Sequence, residues 1–178
     1  MNPMINHFIV IVLRCGIASA LVSWASAFAA EPRYPDIEYA RVGEYRDQSS
    51  TVQCIVSLYG ASNLQTILAQ STGYGLKMRV PALQLLLGGQ PTDKPELAKL
   101  ASPVAHLDKH DPPLMLIHGD ADPQMPPQQS HEFAQAYEAL KLPVQFIIFV
   151  GGKNSGAEFY DAERTTIMAT FLKGHLKP

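Results

Sequence analysis

The chain has 178 residues, 47% of them apolar and 17% charged, with a formal net charge of −2. That length holds one domain with a substantial core and excludes two full-sized ones, while the composition excludes a disordered chain. No Lys/Arg-rich run occurs, which argues against nucleic acid or an anionic membrane surface as the main partner.

In chain order, the first segment stands apart. Residues 1–29 hold one basic residue, Arg14, and no acidic one, and Cys15 to Phe28 form an apolar stretch. Ala27-Phe28-Ala29 satisfies the small-x-small rule for cleavage, so 1–29 is expected to be a signal peptide and 30–178 a secreted or periplasmic domain. Arg14 divides the apolar stretch, and an uncleaved N-terminal membrane anchor is the competing reading. Cleavage would remove Cys15 and leave Cys54, one cysteine that cannot form an internal disulfide. Cys54 lies in the apolar run VQCIVSL, where a small core residue is the simplest reading.

A short alternating piece at Ile37, Tyr39 and Arg41 precedes TVQCIVSLYG, a β-branched run bounded by Ser50 and Gly60 that predicts a buried strand. The next segment is ambiguous, with a short helix expected near Val80 to Leu87 and stopped by Gly88-Gly89. PTDKPELAKLAS predicts another, with Thr92 or Asp93 as its cap and Pro95 in its first turn. PPLMLIHGD is a continuous apolar strand ended by Gly119. PPQQSHEFAQAYEALKL predicts a helix with Phe133, Tyr137 and Leu140 on one stripe. PVQFIIFV predicts a second buried strand, and AERTTIMATFLKGHL a final helix with Ile167, Met168, Phe171 and Leu172 on its inner face. Strand, helix, strand, helix with short links is the pattern of an α/β fold, a mostly parallel sheet flanked by helices.

Ligands of open parallel sheets bind at the carboxyl ends of strands. Two such ends are visible, HGDADPQMPP and GGKNSGAEF. His118, Asp120, Asp122 and His131 invite a metal site, but two acids two apart in a turn are ordinary turn-formers and no Cys/His spacing supports ligation. No metal or other cofactor is expected.

The stretch from LLLGGQPTDKPELAKLASPV through PPLMLIHGDADPQMPPQQS to PVQFIIFVGG resembles the C-terminal half of an α/β-hydrolase. Its style is that of the esterase and prolyl-oligopeptidase-like branch, including bacterial esterases similar to feruloyl esterases. VQCIVSLYGASNL resembles the strand and loop that follow the nucleophile helix there, and RYPDIEYARVGEY the opening strand. The resemblance runs from about Thr51 to Lys177 and implies a partial, truncated α/β-hydrolase domain. Its substrate would be a small ester or a peptide, attacked by a Ser-His-Asp triad in the chain order nucleophile, acid, base.

The position matching the family acid is Asp122; the competing reading is a turn residue that bonds its own backbone ahead of Pro123. The histidine slot in GGKNSGAEF is occupied by Asn154, and the glycine expected after it by Ser155. An amide has no titratable nitrogen near neutral pH and cannot act as general base. No Gly-x-Ser-x-Gly nucleophile elbow occurs in the 178 residues. Only Arg46 to Ser50 separate the opening-strand resemblance from the strand at Thr51, too few for the intervening elements. Ser155 as a substitute nucleophile would need a base and an oxyanion hole beside it, and an exposed Lys153 stays protonated. The resemblance therefore implies a hydrolase relative disabled in its triad. The alternative is a binding or self-association module, in which missing central strands leave a sheet edge open.

Overall fold

The computed structural model describes residues 10–12 and 52–176. The expectations for the rest of 1–29, for the alternating piece at 37–41 and for the junction at 46–50 lie outside the described residues. The elements are β1 (Val10–Val12), β2 (Ile55–Leu58), α1 (Ile67–Gln70), α2 (Gly73–Leu87), α3 (Pro95–Leu100), β3 (Leu114–Gly119), α4 (Gln128–Ala139), β4 (Val144–Phe149) and α5 (Ala162–His175). The sheet order is β1-β2-β3-β4. β2, β3 and β4 run parallel, with Ile55 beside Leu114 and Leu114 beside Val144, and β1 joins antiparallel to β2 with Val12 beside Ile55.

The continuous apolar run of β3 is explained by its position. It lies between β2 and β4, all six residues are buried, and both faces are covered. Met115 and Ile117 join Val56, Leu58, Tyr59 and Phe159 in a core closed by Ile167, Met168, Phe171 and Leu172 of α5. Leu114 and Leu116 face the opposite way, onto Ala134 and Tyr137 of α4. The parallel sheet is thus sandwiched between α5 and α4, the α/β-hydrolase arrangement expected from the resemblance. Each buried large aliphatic side chain contributes about 1.5–3 kcal/mol, so β3 and its neighbours dominate the stability of the sheet.

Four expectations need correction. Among the described residues β4 is an edge strand, paired with β3 on one side, with no fully buried residue and a 45% exposed Ile148. Its apolar run looked like that of β3, and only the strand order separates them. α2 spans fifteen residues, starting at Gly73 and not near Val80, because the Thr72 hydroxyl accepts from Gly75 N and caps it. Its C-terminal stop at Gly88 is as expected, with φ 67° in the left-handed region. α3 is preceded by Lys94 without any side-chain cap, and Asp93 instead accepts from Gln90 N at 3.4 Å. Leu140 sits at the C-cap of α4, 42% exposed, off the buried stripe that includes Tyr137.

α2 resisted reading because it is apolar on both sides. Gly75, Arg79, Leu83 and Leu87, four apart, form its buried face. Tyr74, Val80 and Leu85 remain exposed on the other. A helix without contrast between its faces has no period to detect. Among the described residues, no helix is long and apolar enough to cross a membrane.

Candidate functional site

The carboxyl ends of β3 and β4 are laced into one surface by backbone bonds. Asp120 N donates to Phe149 O at 3.1 Å, Ala121 N to Gly152 O at 3.0 Å, and Gly151 N to Asp120 Oδ1 at 2.6 Å. The approach is close enough to require glycine: a Cβ on Gly119 would lie 2.2 Å from Gly152 O.

Asp122 sits in the turn that follows. Its Oδ1 accepts from Gln124 N at 2.8 Å and Met125 N at 2.9 Å. Its Oδ2 accepts from Asn154 Nδ2 at 2.8 Å, across 32 residues of sequence. Both readings of Asp122 therefore describe real contacts: it bonds its own backbone ahead of Pro123, and it faces the side chain at position 154. Burial works to raise the Asp122 pKa. The bonds from His118, Asn154 and the Met125 and Gln124 amides outweigh that and hold the carboxyl below its usual range.

Two further side chains reach this carboxylate that the sequence reading did not bring to it. His118 was read correctly as the buried close of a strand, but its Nε2 lies 3.4 Å from Asp122 Oδ2. Arg79, from the buried face of α2, interacts electrostatically with Asp122; burial lowers its pKa and the carboxylate offsets part of that. The signal for His118 was its setting, since a histidine inside an otherwise apolar buried strand needs polar partners. Arg79 had no comparable signal, because α2 lacks amphipathic contrast. The start of α2 meets the same turn, with the Thr72 hydroxyl donating to Pro123 O at 2.7 Å.

The second turn is built differently. Asn154 is half-buried and Lys153 exposed. Ser155 holds φ 46°, the left-handed region that glycine favours, at the position where a glycine was expected. Neither Ser155 nor Lys153 gains a buried partner there. Tyr59, at the end of β2, also has positive φ (42°) and its hydroxyl lies 3.1 Å from that of Tyr160. Of the remaining candidates, His131 is exposed with its ring edge-on to Phe146 at 4.8 Å. Cys54 is buried, which pushes its thiol pKa up and makes it inert. Among the described residues no three His, Cys, Asp or Glu side chains are grouped to hold a metal ion.

With the fold and this geometry in view, the family is decided by a match to the BD-FAE family model over residues 25–137. The chain belongs to the BD-FAE family. The matched range includes β2, β3 and Asp122, and ends before the β4 turn that carries Asn154. Esterase LipC of Mycobacterium tuberculosis is 26% identical over 155 residues, 86% of this chain and 36% of its own length. Dipeptidyl peptidase family member 6 of Caenorhabditis elegans is 28% identical over 101 residues, 56% of this chain and 14% of its own. Among solved structures, a truncated carbohydrate esterase from gut microbiota aligns with TM-score 0.65 and 27% identity, over 74% of this chain and 45% of that one. A Pyrococcus horikoshii acylaminoacyl peptidase aligns with TM-score 0.58 and 26% identity, over 73% of this chain and 21% of that one. The family match and these relatives place the chain among the esterase-like α/β-hydrolases, and it spans less than half the length of each of these four relatives.

Proposed function

We propose that this BD-FAE chain is a carboxylic-ester hydrolase relative that carries the acid position of a triad, Asp122, and does not itself complete hydrolysis. The observation that carries this reading is the 2.8 Å bond from Asn154 Nδ2 to Asp122 Oδ2. In a working triad the acid orients an imidazole, which takes the proton of the attacking serine. At Asn154 the acid instead orients an amide. The amide donates to the carboxylate as an imidazole N–H would, so the turn is satisfied, but it has no second nitrogen to accept a proton. The nucleophile is the other missing part: the 178 residues contain no Gly-x-Ser-x-Gly elbow. Small carboxylic esters remain the substrate class that the family and its esterase relatives support.

Fluorophosphonate labelling of the full chain tests this, since the probe reacts with activated serines. The expected result is no stoichiometric labelling, in the chain as it stands and in the Asn154→His variant alike, because restoring the imidazole supplies no nucleophile. Stoichiometric labelling of either protein overturns the reading.

A further inference from the structure

His118 makes three polar contacts around one buried ring. Nδ1 lies 2.6 Å from Ser130 Oγ, and Nε2 lies 3.1 Å from Met125 O and 3.4 Å from Asp122 Oδ2. His118, Ser130 and Asp122 are each buried. Serine, histidine and aspartate side by side resemble a triad, but Ser130 lies buried in the first turn of α4, where no substrate reaches it. The row has a different use.

The partners assign the protons. A backbone carbonyl and an ionised carboxylate only accept, so Nε2 must carry the hydrogen that faces Met125 O and Asp122 Oδ2. In the neutral ring Nδ1 then accepts, and the Ser130 hydroxyl donates to it. One tautomer satisfies every atom. The serine is itself fixed, because its neighbour Gln129 ties α4 to the loop after β2. Gln129 Oε1 accepts from Ser62 N at 3.0 Å and Asn63 N at 2.8 Å, and the Ser62 hydroxyl donates to Gln129 O at 2.6 Å.

We propose that His118 is a positioning residue for Asp122: Ser130 and Met125 lock its Nε2–H tautomer, and that N–H fixes Oδ2 in the direction of whichever donor occupies position 154. The inference rests on Asp122 being the acid position of the proposed function. A purely apolar residue would fill the same volume but leave the Ser130 hydroxyl, the Met125 carbonyl and one face of Oδ2 without this partner. The titratable groups facing Asp122 are His118 from β3, Arg79 from α2 and Tyr59 from the end of β2; the β4 turn contributes the neutral Asn154. Arg79 interacts with the carboxylate through charge, and Tyr59, whose pKa is raised by burial and by its neighbours Tyr160 and Asp122, stays neutral beside it. His118 acts through position as well, its Nε2 bonded to Met125 O and held 3.4 Å from Oδ2, which makes its contribution separable.

The test is NMR on the full chain with labelled histidine and aspartate. In the unmodified protein the neutral His118 ring is expected to be the Nε2–H tautomer. His118→Leu is expected to raise the Asp122 carboxyl midpoint by about one pH unit, a tenfold change in proton affinity. His118→Gln, whose amide N–H falls where Nε2–H was, is expected to recover most of that shift. Finding the Nδ1–H tautomer in the unmodified chain overturns the proposal, and so does an unmoved Asp122 midpoint in folded His118→Leu. Should His118→Leu not fold, the tautomer of the unmodified chain decides alone. Serine labelling by a fluorophosphonate would remove the inactivity reading and leave these resonances as they are, so the two failures are distinguishable.

Discussion

The two turns that meet at the candidate site are held in different ways. The turn after β3 is anchored by a carboxylate buried to 4% exposure that accepts from two backbone amides and from Asn154 and lies 3.4 Å from His118 Nε2. The turn after β4 follows an edge strand, carries an exposed Lys153 and Ser155, and offers one side-chain bond, from Asn154. The first is expected to support the fold whether or not any chemistry takes place. The second can change its side chains at little structural cost. Under the proposed function, the acid position falls in the turn with more bonds and the base position in the turn with fewer.

The largest effect that would sharpen or break this contrast comes from paired truncations. Asp122→Ala leaves the Gln124 and Met125 amides and the Asn154 side-chain amide without their acceptor, and is expected to cost about 3 kcal/mol or more, whereas Asn154→Ala is expected to cost about 1 kcal/mol or less. Urea unfolding midpoints measure both; equal losses would mean that the two turns are not unequal after all. The same carboxylate sets an acid limb. Its folded pKa is depressed, so its contribution is full above the unfolded carboxyl pKa and is lost as pH falls through the folded value. Asp122→Asn should flatten that limb of the stability profile.

A smaller effect tests where the turns touch. Gly119→Ala would drive a Cβ into the Gly152 backbone, carbonyl carbon included at 2.4 Å. The expected loss is about 2 kcal/mol, read as a lowered Tm, because the neighbouring atoms are backbone and cannot rotate away. The smallest effect is a gain. Ser155 occupies a left-handed backbone position that costs an L-residue about 1–2 kcal/mol, part of which glycine recovers against its own entropy. Ser155→Gly should therefore raise stability by about 0.5–1 kcal/mol. No gain would mean that the serine is held by more than its backbone strain reveals.

Much of the fold was legible in the chain alone because it rests on local pattern. PPLMLIHGD reads as a strand buried on both faces, and α5 shows Ile167, Met168, Phe171 and Leu172 at helical spacing. The glycine turn after PVQFIIFV marks a sheet end, and Asp122 and Asn154 stand out as positions matched to a family motif. What could not be read depends on neighbours distant in sequence. β4 has the apolar run of a buried strand yet lies at an edge, a matter of which strands pair. α2 begins seven residues before the expected start, which went unread because its inner and outer faces show no contrast in the sequence.

The site divides along the same line. Residue type and spacing determined that a carboxylate follows one strand, an amide follows the next, and no elbow serine occurs in the chain. Tertiary structure alone decided that the amide bonds the carboxylate, that Gly119 and Gly152 are pressed together, and that His118 and Arg79 converge on the same acid. The reason is that hydrogen bonds and charge act over a few ångströms in space. A sequence reports that distance directly only within a turn of helix or a tight loop, whereas Asp122 and Asn154 are joined through a helix and a strand that both had to pack first.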